Sequence, residues 1–73
     1  MEVKKTKKER SAFGRNLRLL RDAKNLSRRE FGEKIGVSQF VITAWEEYRS
    51  ECSLAQAIKI SEFFEVSTDN LLK

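Results

Sequence analysis

Residues 27–47, SRREFGEKIGVSQFVITAWEE, constrain the fold more than any other stretch, because two helix starts and one helix stop lie close together there. Ser27 followed three residues later by Glu30 predicts a capping box, in which the serine hydroxyl accepts the Glu30 N–H and the Glu30 carboxylate accepts the Ser27 N–H. Leu26 before the cap and Phe31 one turn inside it add a hydrophobic staple that sets the angle of approach. Gly36 supplies the positive φ that ends a helix in a tight turn, and Ser38 is a fresh N-cap. The next helix runs from Gln39 to about Glu46, with Ile42 and Trp45 on one face. Two short helices joined by a glycine-bearing turn must bury Phe31, Ile35, Val37, Ile42 and Trp45, and all five are apolar. Gly32, lacking a Cβ, is the position where the second helix can lie close against the first.

The flanking sequence supplies the scaffold. A preceding helix is expected over roughly Ser11 to Lys24, with Phe13, Leu17 and Leu20 facing inward and Arg15, Arg18 and Arg21 on its polar side or border. Asn25 after it tolerates the left-handed conformation that closes a helix. Downstream, Ser53 and Gln56 form another capping box. The helix it opens carries Leu54, Ala57, Ile58, Ser61 and Phe64 as its expected inward stripe. A last short helix begins at Ser67, with Val66 and Leu71 as staple, and runs to the end at Lys73. The prediction is an all-α domain over residues 11–73, five helices around one core. Residues 1–10 (MEVKKTKKER) read as a basic arm carrying Lys4, Lys5, Lys7 and Lys8. Thr6 and Glu9 also fit a capping box that would extend the first helix backwards, and both readings stand.

Charge is distributed unevenly. Residues 1–37 hold twelve basic and five acidic side chains and residues 38–73 hold three and six, so a +7 half adjoins a −3 half. A basic face beside an acidic one points to a polyanionic partner with a defined docking side, nucleic acid first among them. Enzymatic chemistry finds no materials here: histidine is absent, no glycine loop cradles phosphate, and Cys52 has no neighbouring base. The same inventory predicts no metal, no cofactor and no internal disulfide. No apolar run is long enough for a membrane span or a signal peptide, and the single cysteine suits a reducing cytoplasm. At 73 residues the chain is expected to bury only ~60% of its unfolded surface in one core and to have no room for an effector domain.

With these residues in view, the chain resembles the phage-repressor-like (XRE type, Cro/repressor) helix-turn-helix family of DNA-binding regulators. The likeness extends from about Phe13 to Leu72 through a run similar to LRxLRxxxxLS, then GVS, IxxWE and VSxDxLL. It implies a compact lambda-repressor-like domain that binds a double-stranded DNA operator. It also implies an interior ion pair between Arg21 and Glu46. Tyr48 and Glu65 depart from the family pattern, standing where glycine usually ends a helix, and Cys52 stands where proline is frequent. By the same resemblance the phosphate backbone is gripped near the second helix start, the loop after the recognition helix and the fourth helix start. Arg28 takes the place of a common glutamine.

If Val37, Ile42 and Trp45 turn inward, then Ser38, Gln39, Phe40, Thr43, Ala44 and Glu47 face the major groove. The expected base contacts are Gln39, Phe40, Thr43 and Ala44; the expected phosphate contacts are Ser27, Arg28, Ser38, Arg49, Ser53 and the arm residues Lys4, Lys5, Lys7 and Lys8. Phe40 has three readings: a thymine-methyl contact, a surface for a protein partner, or packing along its own helix. Phe63 lies off the expected stripe, and Leu71 and Leu72 do not both fit inward on so short a helix. Together they predict an apolar homodimer patch. The expected function is therefore a bacterial or phage transcriptional regulator, a repressor in the first place, which occupies an operator and either blocks RNA polymerase or touches it. The competing expectation is a helix-turn-helix module that binds protein, an antitoxin or an antagonist of another regulator.

Overall fold

The computed structural model describes residues 12–73. It contains five helices: α1 (Phe13–Ala23), α2 (Arg28–Ile35), α3 (Gln39–Glu46), α4 (Leu54–Phe64) and α5 (Thr68–Leu72). Each of the four serine caps forms as the spacing requires. Ser27 Oγ accepts the Glu30 N–H at 3.0 Å and the Ser27 N–H donates to Glu30 Oε1 at 2.8 Å. Ser53 and Gln56 repeat that exchange at 3.1 and 2.8 Å. Ser38 and Ser67 cap through the Val41 and Asn70 N–H groups. Helix ends are equally local. Gly36 closes α2 at φ 80° and ψ 31°. Asn25, Tyr48 and Glu65 adopt φ of 56°, 62° and 59° without being glycine. The two departures from the expected glycines therefore keep the left-handed backbone and carry its steric cost.

The core gathers Phe13, Leu17, Phe31, Ile35, Ile42, Trp45, Ala57, Ile60, Phe64 and Leu71. Val37 and Leu20 are half-buried against it. Two expectations need correction. The inward stripe of α4 is Ala57, Ile60, Ser61 and Phe64, whereas Leu54 and Ile58 are 73% and 43% exposed; the helix is turned so that the 57, 60, 61, 64 set meets the core, and an apolar residue at 58 fits either rotation. Leu71 is wholly buried, because α5 folds back on α1 and points that side chain into the core. The first helix begins at Phe13, and Ala12 gives it no side-chain cap; Ser11, the expected start, lies outside the described residues.

The return of α5 is clipped by backbone acceptors. Asn16 Nδ2 donates to the Asn70 and Leu71 carbonyls at 3.1 and 2.9 Å, and the Ala12 N–H donates to the Leu72 carbonyl at 3.3 Å. Asn16 thus joins the first and last helices, a role its sequence position does not announce.

Candidate nucleic-acid interface

Helix α3 is seated by backbone as much as by side chains. Its inner residues Ile42 and Trp45 are buried, and the Trp45 ring meets Phe13 edge-on at 5.7 Å. A Cβ built on Gly14 would lie 2.5 Å from the Trp45 carbonyl oxygen, so α1 presses directly on the end of α3. A Cβ on Gly32 would lie 2.4 Å from the Val37 carbonyl oxygen and 3.5 Å from the Gln39 nitrogen. The close approach expected at Gly32 is therefore to the turn and the first residue of α3. Gly14 was not singled out by spacing, although an isolated glycine inside an amphipathic helix signals a packing reason.

Outward, the same helix is open. Phe40 is 75% exposed, Ser38, Gln39 and Glu47 are exposed, and Thr43 and Ala44 are half-buried. Thr43 Oγ1 donates to the Gln39 carbonyl at 3.0 Å, so its proton is already committed to its own helix. This outer face carries one amide, one aromatic ring, small side chains and, at its end, the Glu47 carboxylate. It has no basic group.

Around it lie the candidate anion-binding groups. The capped N-termini at Ser27, Ser38 and Ser53 are all exposed at the cap residue, and such ends present unsatisfied N–H groups. Arg49 is exposed, with Nε 3.2 Å from Glu47 Oε1. Arg28 reaches back to donate from Nε to Glu46 Oε1 at 3.1 Å. The arm residues Lys4, Lys5, Lys7 and Lys8 lie outside the described residues.

The Arg21–Glu46 pair is interior as expected. Arg21 Nε and Nη2 donate to the two carboxylate oxygens at 2.8 and 3.1 Å, and Nη1 donates to the Leu26 carbonyl at 2.7 Å. Hydrogen bonding to Glu46 raises the Arg21 pKa further above its usual value, against the opposing effect of burial. What sequence spacing did not supply is the participation of Arg28, eighteen residues from Glu46.

The expected dimer residues separate. Phe63 is half-buried, with its ring 5.7 Å from Phe31 and 5.0 Å from Phe64, and Lys24 Nζ sits 5.8 Å from its centroid. Leu71 is removed from the surface altogether. Leu72 remains half-buried and lines a hollow of about 180 Å³ with Phe13, Glu51, Cys52, Ser53, Leu54 and Ala57. Burial pushes the Cys52 thiol up from its ordinary pKa, which disfavours the thiolate. No cluster of three or more metal-ligating side chains occurs among the described residues.

Comparison with known proteins matches residues 17–71 to the helix-turn-helix family. The HTH-type transcriptional activator BcrR of Enterococcus faecalis is 35% identical over 60 residues, which is 82% of this chain and 29% of that protein. The chain therefore spans under a third of that relative's length. Among solved structures, the P22 c2 repressor in complex with a synthetic operator superposes with a TM-score of 0.78 at 28% identity, over 84% of this chain and 92% of that one. The restriction-modification controller protein C.AhdI of Aeromonas hydrophila gives 0.72 at 27% identity, over 81% and 86% of the two chains.

Proposed function

The chain belongs to the XRE-type helix-turn-helix family, and from that premise we propose that it is a sequence-specific double-stranded DNA-binding transcriptional regulator of bacterial or phage repressor type. It is a binding protein and not an enzyme. One observation carries the mechanism: α3 is held from behind by buried Ile42 and Trp45 while Gln39 and Phe40 stand uncovered on its other side. Inserted into the major groove, that face brings Gln39, Phe40, Thr43 and Ala44 to the base edges. Phosphates are held by the N-termini at Ser27, Ser38 and Ser53, by Arg28 and Arg49, and by the arm residues Lys4, Lys5, Lys7 and Lys8. The likeness to an operator-bound repressor supports this docking.

A protomer neutralising on the order of four phosphates gives a log–log salt slope near −3.6. Titration of a labelled duplex at several salt concentrations tests it, and a slope near zero would remove DNA as the partner. Selection of bound sites from random duplexes then yields the operator. The regulator acts in the cytoplasm; among the described residues no helix is long and apolar enough to cross a membrane.

The proposal extends to a homodimer. Leu54, 73% exposed, and half-buried Leu72 flank the apolar hollow at the α4–α5 end, with Phe63 on the far side of α4. Half-sites read by the two protomers then repeat at about one duplex turn, ~34 Å. Sedimentation as a monomer both free and on an operator would overturn the dimer alone. The exposure of Phe40 supports a second reading, in which α3 docks on another protein; it predicts binding to that protein with no salt-dependent affinity for duplex DNA.

A further inference from the structure

We propose that Glu46, beyond its bond to Arg21, is the positioning residue for Arg28, holding that guanidinium so that its terminal Nη groups take a DNA phosphate. The inference rests on the reading above that Arg28 grips the backbone. Glu46 Oε1 accepts from both Arg21 Nη2 and Arg28 Nε at 3.1 Å, and Oε2 accepts from Arg21 Nε at 2.8 Å. Arg21 Nη1 also lies 3.3 Å from Asp22 Oδ1, so Arg21 faces two carboxylates while Arg28 shares one of them. The members of this group differ in what remains to them. Arg21 is buried and spends its third donor group on the Leu26 carbonyl. Arg28 has a 36% exposed side chain beside a carboxylate that is 1% exposed, and among the described residues its Nη1 and Nη2 donate no hydrogen bond. The donors left uncommitted therefore sit on the member that solvent can reach.

Guanidinium donors lie in one plane. Fixing Nε to a buried acceptor orients that plane and leaves the Nη pair as a fork, the arrangement that meets phosphate oxygens two at a time. Preorganisation of this kind reduces the freedom lost on binding. A lysine at position 28 would keep the charge but not the planar division of donors between carboxylate and phosphate. The two roles of Glu46 are thus separable: a structural partner of Arg21, and an anchor for Arg28.

The test uses the full chain and a labelled duplex of arbitrary sequence at low salt, with folding followed by circular dichroism. Arg28→Ala is expected to weaken binding about tenfold, the loss of a charge-assisted hydrogen bond. Arg28→Lys should restore less than half of that loss on a logarithmic scale. Glu46→Gln should weaken the otherwise wild-type protein severalfold yet add nothing in the Arg28→Ala background. Equal fold-losses from Glu46→Gln in both backgrounds would make Glu46 purely structural and overturn the inference. So would Arg28→Lys binding as wild type, an arm that decides the question even where Glu46→Gln does not fold. If Arg28→Ala binds every duplex as wild type does, the phosphate grip itself fails, and the inference with it.

Discussion

Arg21 grips both oxygens of the Glu46 carboxylate, at 2.8 and 3.1 Å, with only 1% of the Glu46 side chain exposed. Deleting one member of a buried pair strands the other, at a typical cost of ~3–5 kcal/mol. Glu46→Ala should show that full loss, since it abandons two arginines. Arg21→Ala should cost less, because Arg28 keeps its bond to Glu46. Urea midpoints at constant m-value measure both, and equal losses would show that Arg28 gives the carboxylate no support.

Gly14→Ala tests the seat of α3. In an exposed helix this change would stabilise by ~1 kcal/mol through propensity. Here the added methyl meets a backbone oxygen at 2.5 Å, and overpacking of that kind costs roughly 1–3 kcal/mol. Thermal unfolding should therefore shift downward by several degrees, at ~4–8 °C per kcal/mol. An unchanged or raised midpoint would mean that α1 and α3 can separate freely.

Glu65→Gly should act in the opposite direction. Glu65 ends α4 at φ 59° and ψ 43°, a conformation that costs a residue with a Cβ roughly 1–2 kcal/mol. Part of the relief is offset by the greater freedom of glycine in the unfolded chain, leaving a gain of roughly 0.5–1 kcal/mol. A lower melting temperature would indicate that the Glu65 side chain makes a compensating contact.

Acid should weaken the cap of α2. The Ser27 N–H donates to the Glu30 carboxylate and holds its pKa below the ordinary value of 4.5. A depressed folded-state pKa contributes stability that is present above the unfolded value and lost as pH falls through the folded one. Glu30→Gln keeps an oxygen for the Ser27 N–H but cannot titrate, so its stability should fall less steeply below about pH 4.5. Parallel acid profiles for the two proteins would remove Glu30 from the acid response.

Gln39 is expected to read one base pair. Its amide can pair bidentately with adenine N6 and N7, and Phe40, Thr43 and Ala44 offer apolar surface to thymine methyls. The commitment of the Thr43 hydroxyl proton to the Gln39 carbonyl favours the methyl as its contribution. Gln39→Ala should cost ~1–3 kcal/mol at a single adenine and leave neighbouring positions nearly unchanged. A selected consensus rich in guanine beneath α3 would assign the reading to other residues.

Features set within four residues of one another were legible before the fold was known. Ser27 with Glu30, Ser53 with Gln56, and Asn25 and Gly36 at helix ends needed no tertiary partner to be recognised, and each occurs where spacing put it. The rotation of α4 was not legible, because Leu54, Ile58 and Ile60 are all apolar and only the packing of α2 and α5 decides which of them is covered. The inward turn of Leu71 is hidden from the sequence for the same reason: a five-residue helix carries too little periodicity to say which leucine turns inward. The link from Arg28 to Glu46 depends on the start of α2 meeting the end of α3, a juxtaposition no local pattern contains.

The contacts that hold α3 at Gly14 and Gly32 are made to main-chain atoms, the carbonyl oxygens of Trp45 and Val37. Such a socket does not depend on which side chains the helix carries on its far side. The exposed residues Gln39 and Phe40 can be rewritten while the helix keeps its place, so the domain behaves as a fixed handle with an exchangeable key. Its specificity can then diverge by substitutions that cost the fold almost nothing.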